Sequence, residues 1–473
     1  MRLALDLGKG VAFERSPLEL RMLTIADCLL RNKQDDAVRQ LRNGGGTIDS
    51  TFMLPFVEAW ARADAKDPGA AQVLDSVNSQ SALAKQVDEH RALILLKLKQ
   101  PAQALPQAEK ALSEAGGRAD RLRLAFADGF RAAGDMTNAV KMLEGKGAAL
   151  ARGRERLQSA KSLGEAIDSS PKAFGELLLG LAVALNRLED KSIAVSLAQV
   201  ARYANPGNDA ASLLLGLLLD EADRANDAVA VLRSIDSGSS YASQAQDAEV
   251  RMLLDSDRGE EALARARKTA EADPGSDSFS RLGAVLSRLN RNQEAADAYG
   301  RAIALAQQES SSNELWALHL YRASALEDSG NWPEAKATIS AAMVDSPENS
   351  LLLNFLGYGM LERGQDIDAA EAMVRKASAL RPDDASITDS LGWAEFKRGK
   401  VDEAIETLSR AAAADPGQGE IREHLGDALF TAGRRIEARF AWRAALATVD
   451  EAAAKARIES KLDRGLDKAN AAP

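Results

Sequence analysis

The stretch DSLGWAEFKRGKVDEAIETLSRAAAADP, Asp389 to Pro416, is followed by HLGDALFTAGRRIEARFAWRAAL, His424 to Leu446. Laid on Leu391-Gly392 and Leu425-Gly426, the two are copies of one pattern set 34 residues apart. Gly399 answers Gly433, Ala404 answers Ala438, Leu408 answers Trp442, and Ala411 answers Ala445. The pattern reads as a pair of helices. Gly392 and Gly426 leave the first helix without a side chain at its tightest contact. Ala404 and Ala438 give the second helix a small surface there, with Leu408 and Trp442 beside it. Pro416 closes one pair and opens the next, because proline cannot continue a helix.

The register extends outward from this pair. A small residue opening the second helix recurs at Ala37, Ala71, Ala104, Ala139, Ala194, Ala228, Ala262, Ala295, Ala335, Ala370, Ala404 and Ala438. Most steps are 33 to 35 residues, which predicts about twelve helical hairpins. The step from Ala139 to Ala194 is 55 residues, so an insertion over 150–170 is expected, with an extra helix from Leu150 to Ile167. It divides a degenerate N-terminal subarray, 1–149, from a stronger array over 171–446. Met1 to Glu14 reads as one helix, Asn43 to Gly46 as a turn, and the polar run Gln307 to Asn313 as a loop. One extra residue lies between Gly364 and Ala370. Over 447–466, Ile458, Leu462 and Leu466 fall on one helical face, as a helix closing the array would require. A frayed tail over 467–473 is expected.

Composition excludes several classes of function. The net charge of −10 lacks the basic face that nucleic acid requires. His90, His319 and His424 lie in different hairpins without a second ligand at zinc spacing, and no phosphate-binding loop or nucleophile elbow is present. Acidic residues alternate with basic ones, as on solvated helix faces. No cofactor and no catalytic residue are predicted. Cys28 is the only cysteine; Asp27 before it fits a helix interior rather than a lipid anchor. No apolar run approaches the ~20 residues that span a bilayer.

The register turns one surface of the first helices inward. Residues three before and one after each Leu-Gly glycine, and one turn on, belong to it: Asn354, Tyr358 and Leu361; Asp389, Trp393 and Phe396; Glu423, Asp427 and Phe430. Aromatic residues are 4% of the chain, yet several fall here. One reading is a peptide groove with aromatic anchors and acidic hydrogen-bond partners, suited to a neutral or basic ligand. The other is that Trp393 and Phe396 pack between hairpins.

The repeat resembles the tetratricopeptide repeat, with its W-x2-L-G-x2-Y…A-x3-F…P pattern. That implies an all-α, right-handed superhelical solenoid and a protein-binding scaffold. A narrower resemblance rests on NFLGYGMLERG (Asn354 to Gly364), ALRPDDASITDSLGWAEFKRG (Ala379 to Gly399) and IREHLGDALFTAGRRIEARFAWRAAL (Ile421 to Leu446). These stretches are similar to proteobacterial repeat lipoproteins that tether a carboxyl-terminal processing protease. The resemblance implies an adaptor in the periplasm or at the outer membrane, with such a protease as partner. A structural subunit of an envelope or polysaccharide-export assembly is the alternative.

Overall fold

Hairpin turns set the register of this chain through backbone geometry. In the computed structural model, which describes residues 2–7, 12–13, 16–44, 50–81, 83–159, 162–186, 191–308, 315–449 and 451–467, a residue with positive φ precedes eleven of the twelve register alanines. These are Asn32, Lys66, Lys99, Gly134, Asp223, Asp257, Asn290, Gly330, Gly364, Gly399 and Gly433. The corresponding turn before Ala194 lies outside the described residues. At Gly399 and Gly433 φ is +78° and +79°, a left-handed conformation that strains most L side chains and favours glycine. There the next amide reaches back to close the first helix: Lys400 donates to the Glu395 carbonyl at 2.9 Å, and Arg434 to that of Leu429 at 2.9 Å.

The elements are all helical among the described residues. Two compact units contain them, Met1–Ala262 and Leu263–Pro473. In the first unit, α1 (Arg2–Leu7) precedes hairpins α2 (Leu18–Leu30) with α3 (Gln34–Arg42), and α4 (Leu54–Asp64) with a 3-10 helix (Ala71–Ser76). Next come α5 (Val87–Lys97) with α6 (Pro101–Glu114), and α7 (Ala119–Ala133) with α8 (Met136–Met142). After the lone α9 (Ala148–Gln158) follow α10 (Ser170–Leu185) with α11 (Ser192–Ala204), and α12 (Asp209–Glu221) with α13 (Ala225–Leu232). Then come α14 (Ala242–Asp255) and α15 (Gly259–Ala272), within which the two units divide.

The second unit continues with α16 (Ser276–Arg288) and α17 (Asn292–Gln308), and with α18 (Leu315–Asp328) and α19 (Trp332–Asp345). It ends with α20 (Ser350–Glu362) and α21 (Ile367–Leu380), α22 (Ala385–Lys397) and α23 (Val401–Ala414), α24 (Gly419–Thr431) and α25 (Arg435–Leu446), and a single α26 (Ala452–Arg464). This is an all-α, tetratricopeptide-like arrangement of helical hairpins. All twelve register alanines are buried.

Leu-Gly glycines mark where the paired helices meet. A Cβ on Gly392 would lie 2.7 Å from the Leu408 side chain, and one on Gly426 would lie 2.4 Å from the Trp442 ring. Gly216, Gly283 and Gly357 meet Leu232, Tyr299 and Val374 in the same way, at 2.6, 2.8 and 2.8 Å. A leucine at Gly392 therefore overpacks the hairpin, at a cost of about 1–3 kcal/mol. A Cβ on Gly300 would meet only the Arg322 side chain, at 3.4 Å. In chemical denaturation Gly392→Leu is expected to lose stability while Gly300→Ala stays near the wild type. Equal stability of the two variants would contradict this packing.

Several local expectations are revised. The inserted helix runs from Ala148 to Gln158 rather than Leu150 to Ile167. Further on, the Asp128 carboxylate accepts the backbone N–H groups of Leu163, Glu165 and Ala166 at 3.3, 2.9 and 3.0 Å, and this segment is not helical. The insertion lies inside the first unit, where segments on either side of it touch. Tyr203 on α11 donates to Asp27 on α2 at 3.0 Å. The second helix at Ala71 is a 3-10 helix. The extra residue before Ala370 is absorbed by a further left-handed residue, Asp366 (φ +38°), whose carboxylate caps α21 by accepting from the Ala369 N–H at 3.2 Å. Of the helix expected over Met1 to Glu14, α1 covers Arg2–Leu7, and residues 1, 8–11 and 14 lie outside the described residues. So do 45 and 46 of the expected turn and 309–313 of the expected loop, whereas 307 and 308 finish α17. Only Asp467 of the expected tail is described.

Candidate functional site

The second unit presents the expected surface on successive first helices α20, α22 and α24. The sequence places Asn354 and Tyr358 on α20, Asp389 and Trp393 on α22, and Glu423 and Asp427 on α24 at equivalent positions. Continuing the 34-residue period from Glu423 and Asp427 reaches Arg457 and Lys461 on α26. The helix α26 is thus a further first helix in the same register. Ile458 is fully buried, and Leu462 and Leu466 pack against the cluster containing Ala438 and Trp442.

This continuation changes what the acidic positions face. Expected to meet a ligand, Glu423 and Asp427 are instead buried beneath α26. Glu423 accepts from Arg457 Nε and Nη2 at 2.7 and 2.9 Å and from Lys461 Nζ at 2.5 Å. Asp427 accepts from Lys461 Nζ at 2.8 Å and from the Trp442 indole at 2.9 Å. Lys461 is itself 0% exposed. The cationic groups that complement this surface belong to the protein's own helix.

One hairpin earlier the arrangement is aromatic. Asp389 is buried with its carboxylate 3.0 Å and 3.1 Å from His424 Nδ1. Burial alone would depress the His424 imidazole, but the Asp389 charge and hydrogen bond raise it above its ordinary value. Trp393 stacks on that ring at 4.1 Å and on Phe396 at 4.9 Å, and its indole donates to Glu362 at 2.8 Å. Trp393 is thus interior, the second of the two readings. Leu361 is also buried, at 1% exposure.

Four of the nine positions stay half-buried: Asn354, Tyr358, Phe396 and Phe430. The Tyr358 hydroxyl donates to Glu420 at 2.7 Å, bridging α20 to α24 across α22. Burial first, then the Glu420 charge, push its ionisation far above the ordinary range. Asn354 Oδ1 is an acceptor without a partner among the described residues. Phe430 lies against Trp442, with ring centroids 5.4 Å apart.

The first unit holds a polar cluster that periodicity gave no sign of. Arg118 donates to both Glu89 oxygens at 2.9 Å and to Glu176 at 2.8 Å. Arg121 donates from Nε and Nη2 to Glu176 at 3.0 and 2.8 Å, and from Nη1 to Glu165. Burial would raise the Glu176 carboxyl, but the two guanidiniums overcome it and lower it to about 2. Glu165, more dominated by burial, is raised to about 7. A cavity of about 10 Å³ beside His90 and Trp60 has room for a single water rather than a substrate. Cys28 is half-buried on α2, and burial raises its thiol. Among the described residues no group of three or more His, Cys, Asp or Glu is placed to hold a metal, and no helix is long and apolar enough to cross a membrane.

Residues 361–419 and 390–456 match the family model for the tetratricopeptide repeat. These C-terminal hairpins are tetratricopeptide repeats. No curated protein matches the chain. Among solved structures, the chain is similar to the APC/C hetero-tetramer Cut9–Hcn1, at 14% identity and a TM-score of 0.41, covering 99% of each chain. It is also similar to TTC0263, a thermophilic tetratricopeptide repeat protein of Thermus thermophilus, at 21% identity and a TM-score of 0.34, covering 40% of this chain and 98% of that one. Yeast Tom70 is similar over 94% of this chain and 95% of its own, at 12% identity and a TM-score of 0.36.

Proposed function

We propose that the protein is a non-catalytic scaffold that holds an extended segment of a partner protein against α20 and α22. The observation that carries this reading is the tetratricopeptide repeat itself, whose stacked hairpins offer long continuous surfaces to protein ligands. Tyr358 and Phe396 supply the contacts, an amphipathic ring and an apolar ring, with Asn354 and its buried, unpartnered Oδ1 beside them. The buried members of the surface, Asp389, Trp393 and Leu361, hold these three in place. Glu423 and Asp427 fix α26. Phe430 lies at the rim beside it. In its finer form the proposal makes the chain an adaptor for a carboxyl-terminal processing protease of the bacterial envelope, on the resemblance carried by Asn354 to Leu446.

The test is photo-crosslinking in cells. A photoreactive residue at Tyr358 or Phe396 is expected to yield one discrete protein adduct. The same residue at Lys336, on the second helix α19, is expected to yield none. Identification of the adduct by mass spectrometry decides the finer form: a processing protease supports the adaptor, and an export or envelope-assembly subunit replaces it. Equal labelling from all three positions, or none, would remove α20 and α22 as the binding face.

A further inference from the structure

Residues 162–168 of the first unit lie between α9 and α10 and are held onto α7 without helical structure of their own. Leu163 and Ile167 are buried, and the rest of the hold is polar. Asp128 on α7 accepts the Ser162 hydroxyl at 3.2 Å besides the three backbone N–H groups already described. The Glu165 side chain, buried as well, reaches Arg121 on the same helix.

That reach leaves a carboxyl group short of positive charge. Two guanidiniums, of Arg118 and Arg121, meet three buried carboxyls, of Glu89, Glu165 and Glu176. Fully ionised, the set would hold an unbalanced negative charge in the interior, which taking up a proton removes. Hydrogen bonding selects the carboxyl that takes it. Glu89 accepts from Arg118 on both oxygens, and Glu176 accepts three bonds from the two arginines. Glu165 accepts only from Arg121 Nη1. The other groups around it deepen the deficit. Asp128 sits on the Glu165 N–H at 2.9 Å, and Asp209 at the start of α12 and Glu176 on α10 add negative charge. Nearby cations are engaged elsewhere: Arg131 with Asp128, Lys172 with Asp168, and Arg156 with the carbonyls of Ser162 and Gly238. The Tyr241 hydroxyl, ahead of α14, is buried without a partner among the described residues.

We propose that Glu165 is a proton-operated latch: with its carboxyl neutral it holds residues 162–168 on α7, and its ionisation lets that segment lift away. The segment is the natural moving part, because its bonds to Asp128 place a second carboxylate beside the one that ionises. Burial first, then Asp209, Glu176 and Asp128, outweigh Arg121 and raise the Glu165 carboxyl from 4.5 to about 7. Once lifted into water, the same carboxyl returns to its ordinary value. The contribution of the latch is therefore fully present below pH 4.5 and is lost as pH rises through about 7. The latch lies in the first unit, apart from α20 and α22, so either proposal can fail without the other.

Hydrogen exchange of the full chain, read by mass spectrometry on peptides covering 162–168, tests it. After correction for the intrinsic pH dependence of exchange, opening of this segment is expected to rise about tenfold between pH 6 and pH 8, given an ionisation near 7 closed and 4.5 open. Peptides from α5 and from the first turns of α7 should not follow it. Glu165→Gln keeps an acceptor for Arg121 and cannot ionise, so its segment should stay protected at both pH values. Carbon-13 NMR of the wild type labelled at glutamate side-chain carboxyls reads the proton without any substitution, and one buried carboxyl should titrate near neutrality. Three results overturn the latch: wild-type protection that is flat with pH, the same tenfold change in Glu165→Gln, or an equal change throughout α5 and α7. No glutamate titrating between pH 6 and pH 8 overturns it independently of how the variant folds.

Discussion

Lys461→Met is expected to destabilise the C-terminal hairpins by about 3–5 kcal/mol, the cost of leaving buried carboxylates without their cation. Lys461 is fully buried and its ammonium is shared between Glu423 and Asp427. Methionine keeps the stem volume and deletes the charge, so the loss reports electrostatics rather than a cavity. Glu423 retains its hydrogen bonds from Arg457, so the loss of the ammonium falls mainly on Asp427. Asp427→Asn in the same chain should therefore recover much of the loss, since the amide oxygen can still accept from Trp442. Denaturation followed by tryptophan fluorescence, with Trp442 in this cluster, gives the readout. A single variant within ~1 kcal/mol of wild type would place Lys461 at the level of a surface pair.

Arg121→Met is expected to have a comparable effect in the first unit, again about 3–5 kcal/mol. Glu176 would lose one of the two guanidiniums that hold it ionised, and Glu165 would lose its ion pair with the same side chain. Arg121→Lys should not restore stability, because one ammonium cannot reproduce the forked contacts to two carboxylates. The pH dependence separates this from simple loss of packing. Glu176 falls from an ordinary value of 4.5 to about 2, so its contribution is present above pH 4.5 and is lost as pH falls towards 2. Without Arg121 that acid-labile part should shrink. Stability against guanidinium, measured from pH 7 down to the acid limit, checks it. A variant with the wild-type acid profile would show that Arg118 alone sets the Glu176 carboxyl.

The fold was legible because each hairpin repeats a local constraint. A register alanine follows a left-handed turn, and residues tolerant of that turn, such as Asn32, Asp223, Asp257, Asn290, Gly399 and Gly433, announce it. Lys66 and Lys99 occupy the same conformation without any such preference, which is why the early hairpins read as degenerate. The candidate surface was legible as a face but not in its exposure. Position within a hairpin decides which way Asp427 points; only the following hairpin decides what covers it. The signal was present as the equal spacing of Asp389, Glu423 and Arg457, and of Trp393, Asp427 and Lys461. Some polar contacts in the first unit fall outside the period. Arg121 meets Glu176 over 55 residues, and Ser170 meets Asp64 over 106. No rule of repeats anticipates them.

The ladder from α22 to α26 constrains how this array could have grown. Repeat proteins lengthen by copying a module beside itself, which is harmless when every copy offers its neighbour the same surface. Here the hairpin α24–α25 presents two carboxylates that only the arginine and lysine of α26 neutralise. A tandem copy would set Glu423 and Asp427 of one module against the same acids of the next, with a single cationic helix for both. The order of α24, α25 and α26 is therefore written into their sequences, and a module inserted between α25 and α26 would part these carboxylates from their cations.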